Sequence, residues 1–283
     1  MKLMPGGGKQ PGSFAGVKRV EFVSPRRTRA LSVTGRKCWL NCAHCGGYYL
    51  KNMLSLEKAL AQNHHPSSFL VSGGCNLQGK IPHLERKKEL QILSAQGRLN
   101  IHSGLVTEEE ARELGELAAV ISFDFPASSR IISRVYGHGA AMEDYLRSYR
   151  YLKKYGRVIP HLCLGLAEGK IREEYQVLEL LQQEGAEGIC LLVFTPTPGT
   201  EYDRFSPPPL EDVGQFFQAA REYFPDMPLY LGCMRPGGSY RADLDRLALR
   251  GKIDKIVQPS PPARQLAKEM GLEISYSEEC CCL

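Results

Sequence analysis

Eight short β-branched or apolar runs, each followed by a helical pattern, constrain this 283-residue chain more than any other feature. The runs lie at 30–33, 67–71, 99–102, 119–123, 158–164, 188–194, 229–231 and 255–257, and the helical patterns at 53–62, 82–96, 107–118, 142–155, 171–184, 210–224, 240–250 and 261–270. Strict alternation argues for βαβ units, because parallel strands need a crossover element between them. Eight units closing on themselves predict an α/β fold of the complete (β/α)8 TIM-barrel type, with an open doubly wound sheet as the alternative. The expected layout is a flexible N-terminal segment over 1–18, one barrel over 19–271 and a Cys-rich C-terminal tail over 272–283. Thr107 and Glu110 read as a capping box opening the third helix.

Composition removes several classes. Lys and Arg exceed Asp and Glu by 36 to 31, giving a net charge of +5, too small and too dispersed to argue for a nucleic-acid partner. No apolar run approaches the roughly 20 residues of a membrane-spanning helix. The first residues carry three consecutive glycines and no apolar core of a secretory signal, so the expected location is cytoplasmic. Ten cysteines without an export signal point to metal or redox chemistry.

After the first run comes Cys38-Trp-Leu-Asn-Cys42-Ala-His-Cys45-Gly-Gly, a C-x3-C-x2-C loop. Three thiolates in eight residues suit three irons of a 4Fe-4S cluster and leave the fourth iron open to a small molecule. A zinc site is the competing reading, but it normally takes four ligands in paired spacing, and His44, adjacent to Cys45, closes a tetrahedron poorly.

The loop resembles the signature of the radical S-adenosylmethionine (radical SAM) enzymes. That resemblance implies a 4Fe-4S cluster on Cys38, Cys42 and Cys45, with SAM chelating the open iron and His44 against the adenine. It extends to Ser72-Gly73-Gly74, where the family keeps glycines whose backbone meets the methionyl amine, and to Asp124, where an Asp or Asn meets the ribose hydroxyls. His161-Leu-Cys163-Leu-Gly165-Leu-Ala-Glu168 resembles an adenine-supporting G-x-I-x-G-x-x-E pattern in which Gly165 and Glu168 match, while His161 and Cys163 depart.

Within that family the chain is most similar to biotin synthase and its relatives over roughly residues 25 to 260. It lacks their inner-strand cysteine near Ile101, which speaks against ordinary biotin synthesis. Cys280, Cys281 and Cys282 are expected to ligate an auxiliary cluster through two of the three, adjacent side chains diverging, with Cys75 or Cys233 completing the set. A barrel with such a cluster resembles the split lipoyl synthases. The resemblance implies sulfur insertion into octanoyl-lysine of a lipoyl carrier protein, a ferredoxin or flavodoxin as reductant, and a paralogous radical SAM partner. The alternative is a single-cluster mutase or hydrogen-abstracting enzyme similar to methylornithine synthase. The run leading to Phe194, with Tyr202, is a candidate acyl channel, though core and lid is the plainer reading, and Arg235 is a candidate to meet a substrate carboxylate or a cluster.

Overall fold

The computed structural model describes residues 19–62 and 66–283, so the expected flexible segment over 1–18 lies outside the described residues. Its strands are β1 (Arg19–Val23), β2 (Thr28–Ser32), β3 (Leu54–Ser55), β4 (Ser68–Ser72), β5 (Arg98–Ser103), β6 (Val120–Asp124), β7 (Val158–Leu164), β8 (Ile189–Val193), β9 (Leu229–Leu231), β10 (Lys255–Val257) and β11 (Glu273–Ser277). The helices are α1 (Leu56–Leu60), α2 (Lys87–Gln96), α3 (Glu108–Leu117), α4 (Ser129–Ile131), α5 (Met142–Tyr155), α6 (Glu174–Gln183), α7 (Leu210–Tyr223), α8 (Gly238–Arg250) and α9 (Pro261–Glu269). All strands belong to one sheet, in the order β11-β1-β10-β9-β8-β7-β6-β5-β4-β2-β3, and every pairing is parallel. No helix among the described residues is long and apolar enough to cross a membrane.

All eight expected runs form strands, β2 and β4 through β10, and each expected helical stretch contains a helix. The capping box forms as read: Glu110 N donates to Thr107 Oγ1 at 3.2 Å, and Thr107 N donates to Glu110 Oε2 at 2.6 Å. Complete closure requires correction. The ladder ends at β11 and β3 and does not join into a ring. The cause is a break in the first strand: β1 pairs with β10 and β11, β2 pairs with β4, and the chain itself crosses the seam through residues 24–27. The tail boundary also moves, since Glu273–Ser277 was expected to lie outside the sheet and instead pairs with β1 along its whole length.

With helices on one face and the barrel interior on the other, the strands are buried on both sides and lose the polar alternation of a one-faced sheet. Strand β8 is buried at all five positions. Ile189, Leu191 and Val193 pack outward into the main core with Leu178, Leu181 and Phe216, while Cys190 and Leu192 face inward. The inner cluster draws Val23, Val120, Ile159, Tyr230 and Val257 from five different strands, which requires the sheet to curl round a common axis. Phe194 and Tyr202 are 1% and 4% exposed and stack edge to face at 5.7 Å, so they are packed core and lid and no acyl channel runs between them.

Arg235 is also a framework residue. Its guanidinium is buried, pairs with Asp245 at 3.0 Å, and donates to the carbonyls of Gly232 and Val257, tying β9, α8 and β10 together. With those donors engaged inside the protein, its expected contact with substrate or cluster is not what the structure shows. A buried ion pair is costly to break because the surviving charge stays desolvated. Asp245→Ala is therefore expected to lower the unfolding free energy by about 3–5 kcal/mol in urea denaturation; a loss below about 1 kcal/mol, the usual worth of an exposed pair, contradicts this role.

Candidate active site

Parallel strands all present their carboxyl ends on one side, so the loops after β2, β4, β6, β7 and β8 meet at one rim. The cysteine loop leaves β2 and is fastened by the others through backbone contacts. Gly74 N donates to Thr34 Oγ1 at 2.7 Å, and Thr34 Oγ1 donates to Lys37 O at 2.9 Å. Trp39 N donates to Cys75 O at 2.9 Å, Ala43 N to Val135 O at 2.7 Å, and Tyr202 N to Ala43 O at 3.1 Å. Gly46 and Gly47 carry φ of +51° and +70°, a region that favours glycine, as the chain turns away after Cys45.

The glycine pair after β4 has a steric reason. A Cβ on Gly74 would lie 2.0 Å from Lys37 O and 2.5 Å from Cys38 Cα, and one on Gly73 would lie 2.8 Å from Val33 Cγ2. Cys38 therefore reaches its position only because residue 74 has no side chain. Cys42 and Cys45 share a thiol hydrogen bond that raises Cys42 and lowers Cys45. Burial opposes the drop at Cys45, but the Gly47 and Tyr48 N–H groups help bring it to about 7. Within this pair the thiolate is favoured at Cys45 over Cys42.

Around the loop stand His44, Asp124 and Tyr136. Burial lowers His44 to about 4 against the pull of Asp124, and its Nδ1 is buried with no hydrogen-bond partner. Asp124 Oδ1 lies 3.1 Å from His102 Nε2. Burial alone would raise this carboxyl, yet the facing His102, His161 and His44 outweigh it and hold Asp124 at about 2. Ser72, Gly73, Gly74, Asp124 and Gly165 all reach the rim. Glu168 sits on an exposed turn at φ +57° and makes no side-chain hydrogen bond or ion pair among the described residues. The carboxylate that holds Gly165 is Glu174, which the sequence reading missed: it accepts from Gly165 N at 2.9 Å and from Arg172 N at 2.8 Å.

The tail thiols lie at the opposite end. Cys280 N donates to Thr28 Oγ1 at 2.7 Å, Arg157 Nη1 to Cys282 O at 2.9 Å and Lys255 Nζ to Cys281 O at 3.3 Å, all where strands begin. The expected divergence of the adjacent side chains does not occur. A turn closed by Leu283 N to Cys280 O at 2.9 Å brings the three sulfurs within 4.8 Å of one another. Cys75, placed in this set by the sequence reading, belongs to the rim, because it follows the carboxyl end of β4 and its carbonyl holds the cysteine loop. Cys233 is exposed and does not join the group. Cys190 and His161, which the sequence reading left out, do: their donor atoms and Cys282 Sγ lie within 4.8 Å of one another.

No protein-family model matches the chain, and no curated protein matches it. Solved structures do resemble it. Methylornithine synthase superposes with a TM-score of 0.64 at 15% identity, covering 91% of this chain and 84% of that one. The FeFe-hydrogenase maturase HydG from Carboxydothermus hydrogenoformans gives 0.67 at 13% identity, covering 91% and 68%. Hydroxymethylglutaryl-CoA lyase from Pseudomonas aeruginosa gives 0.51 at 13% identity, covering 89% and 88%. These likenesses establish a shared fold, and enzymes of such different names on one fold leave the chemistry to be argued from the site.

Gly74→Ala tests the rim geometry. With no room for the new methyl, Cys38 is displaced, and iron bound at the rim loop is expected to fall to less than half the wild-type content while the circular dichroism spectrum is retained; full iron content would show that the close approach is dispensable.

Proposed function

We propose that this chain is a radical SAM enzyme. The observation that carries the reading is the meeting, at one rim of a parallel sheet, of Cys38, Cys42 and Cys45 with the glycine pair after β4 and the ionised Asp124. The donor set fits the group: three soft thiols on one loop leave a fourth position for a chelating ligand. The cluster and SAM, when bound, supply a 5′-deoxyadenosyl radical able to take hydrogen from an unactivated C–H bond. The protein's residues bind and orient. Gly73 and Gly74 offer backbone groups at a place that excludes a side chain, Asp124 stays an anionic acceptor suited to sugar hydroxyls, and the unpartnered His44 Nδ1 is available to a bound nucleoside.

The finer reading is sulfur insertion of the split lipoyl synthase type, acting on octanoyl-lysine of a carrier protein with a ferredoxin-like or flavodoxin-like reductant and a paralogous partner. It is supported by the enclosure of the tail thiols inside the sheet, on the axis beneath the rim, where a sulfur donor would be protected.

Three measurements test these readings. Changing Cys38, Cys42 and Cys45 to Ala is expected to abolish reductive cleavage of SAM to 5′-deoxyadenosine, and retained cleavage would end the radical SAM reading. Asp124→Ala is expected to weaken SAM binding by about tenfold or more, the worth of a hydrogen bond to a charged group, with iron content unchanged. For the finer reading, protein reconstituted with labelled sulfide and given an octanoyl-lysyl peptide is expected to pass label to the peptide. SAM cleavage without sulfur transfer would favour the single-cluster alternative.

A further inference from the structure

The floor of the barrel gathers more ligating atoms than packing accounts for. Cys282 Sγ belongs to two groups, one with Cys280 and Cys281 and one with Cys190 and His161, the donor atoms of each lying within 4.8 Å of one another. Cys190, Cys281 and Cys282 are buried, and His161 is 9% exposed. His161 Nδ1 donates to the Ile159 carbonyl at 3.0 Å, which leaves the Nε2 lone pair facing Cys282 Sγ at 3.8 Å. Metal-binding imidazoles are prepared in this way, the far nitrogen anchored and the near one free. Asn100, held by Ser122 at 2.8 Å, donates from Nδ2 to Cys280 Sγ at 3.2 Å, and an N–H aimed at sulfur favours the thiolate. Arg157 and Lys255 hold the tail in place through the carbonyls of Cys282 and Cys281. Cysteines that only filled space as small hydrophobes would not need an imidazole and an amide directed at them.

We propose that Cys190 and His161 join Cys280, Cys281 and Cys282 in a thiolate-rich centre for a thiophilic metal, iron or zinc, at the floor of the barrel. The five donors exceed by one the four that a tetrahedral centre takes. The Cys281 and Cys282 sulfurs stand 3.9 Å apart. That is close to the ~3.8 Å edge of a tetrahedron built on 2.3 Å metal–sulfur bonds, so the floor as built closes round a single ion. An iron–sulfur cluster spreads its thiolates over several irons and requires the tail turn to open. The inference bears on the sulfur-insertion reading, which needs a sulfide-bearing cluster here, without resting on it, and it stands apart from the rim chemistry.

The test uses the full chain with Cys38, Cys42 and Cys45 changed to Ala, so that any remaining centre belongs to the floor. Iron, zinc and acid-labile sulfide are counted per chain after anaerobic loading with iron and sulfide or with zinc alone, and X-ray absorption reads the ligand atoms. The expected result is a centre with mainly sulfur ligands that falls more than tenfold in occupancy when Cys190→Ser and Cys282→Ser are added together, which leaves three of the five donors, and that is unaffected by Cys75→Ser. His161→Gln is expected to change the nitrogen component of the absorption spectrum. Circular dichroism separates loss of ligand from loss of fold. A folded rim variant that binds no metal, or a centre that survives both Cys190→Ser and Cys282→Ser, overturns the proposal. Iron with sulfide supports both the centre and the sulfur donor, whereas a single ion without sulfide supports the centre and sinks sulfur insertion.

Discussion

The parallel direction of every strand is the constraint from which the rest follows. A βαβ crossover returns the chain to the starting end of the sheet each time, so loops far apart in sequence arrive at the same rim, and strand starts collect at the other end. The cysteine loop, the glycine pair and Asp124 are separated by some eighty residues of chain and still meet, because each follows a strand. The same rule carries Asn100, His161 and Cys190 to the interior below them, each on an inward-facing position of a different strand. Between the two ends, His102 touches Asp124 above and lies 5.1 Å, ring to ring, from His161 below, so the axis of the barrel is lined with polar groups along its length.

Much of this was legible because it is local. Strands buried on both faces announce themselves as apolar runs, and Thr107 with Glu110 announces a helix start within four residues. The cysteine loop and the glycines were readable for the same reason, being short patterns whose chemistry depends on spacing along the chain. Other features were hidden for physical reasons. Strand β1 is five residues with charges at Arg19 and Glu21, and β11 is a mostly exposed edge strand with only Ile274 and Tyr276 as apolar positions. Neither looks like the inside of a sheet, and their pairing spans some 250 residues. Cys190 sits inside an unbroken apolar run, where sequence gives no hint that even and odd positions face different solvents of the fold. Glu174 was missed because a carboxylate nine residues past Gly165, at a helix start, reaches back to hold that turn, and no short pattern marks such a contact.

Arg235 and Tyr202 teach the converse. Each stands on a rim loop, where a charged or aromatic side chain invites a functional reading, and each is spent on framework: Arg235 on Asp245 and two carbonyls, Tyr202 on Phe194 and, through its backbone, on Ala43. A rim position is where function is built in such folds, yet the loops must also be held, and the same residue types serve that purpose.

The seam between β1 and β2 gives the wall a mechanical property that a closed ring lacks. In a ring, any increase in girth must pull apart a full ladder of backbone hydrogen bonds. Here the two halves are joined by the covalent stretch 24–27 and by a few bonds from the segment after β11: Arg27 N to Glu278 O, Cys280 N to Thr28 Oγ1, Asn100 Nδ2 to Cys280 Sγ and the Arg98–Glu279 ion pair. The sheet behaves as a split hoop: expansion is concentrated at one weakly fastened slit, and the segment that fastens it is the one leading directly into the three tail cysteines.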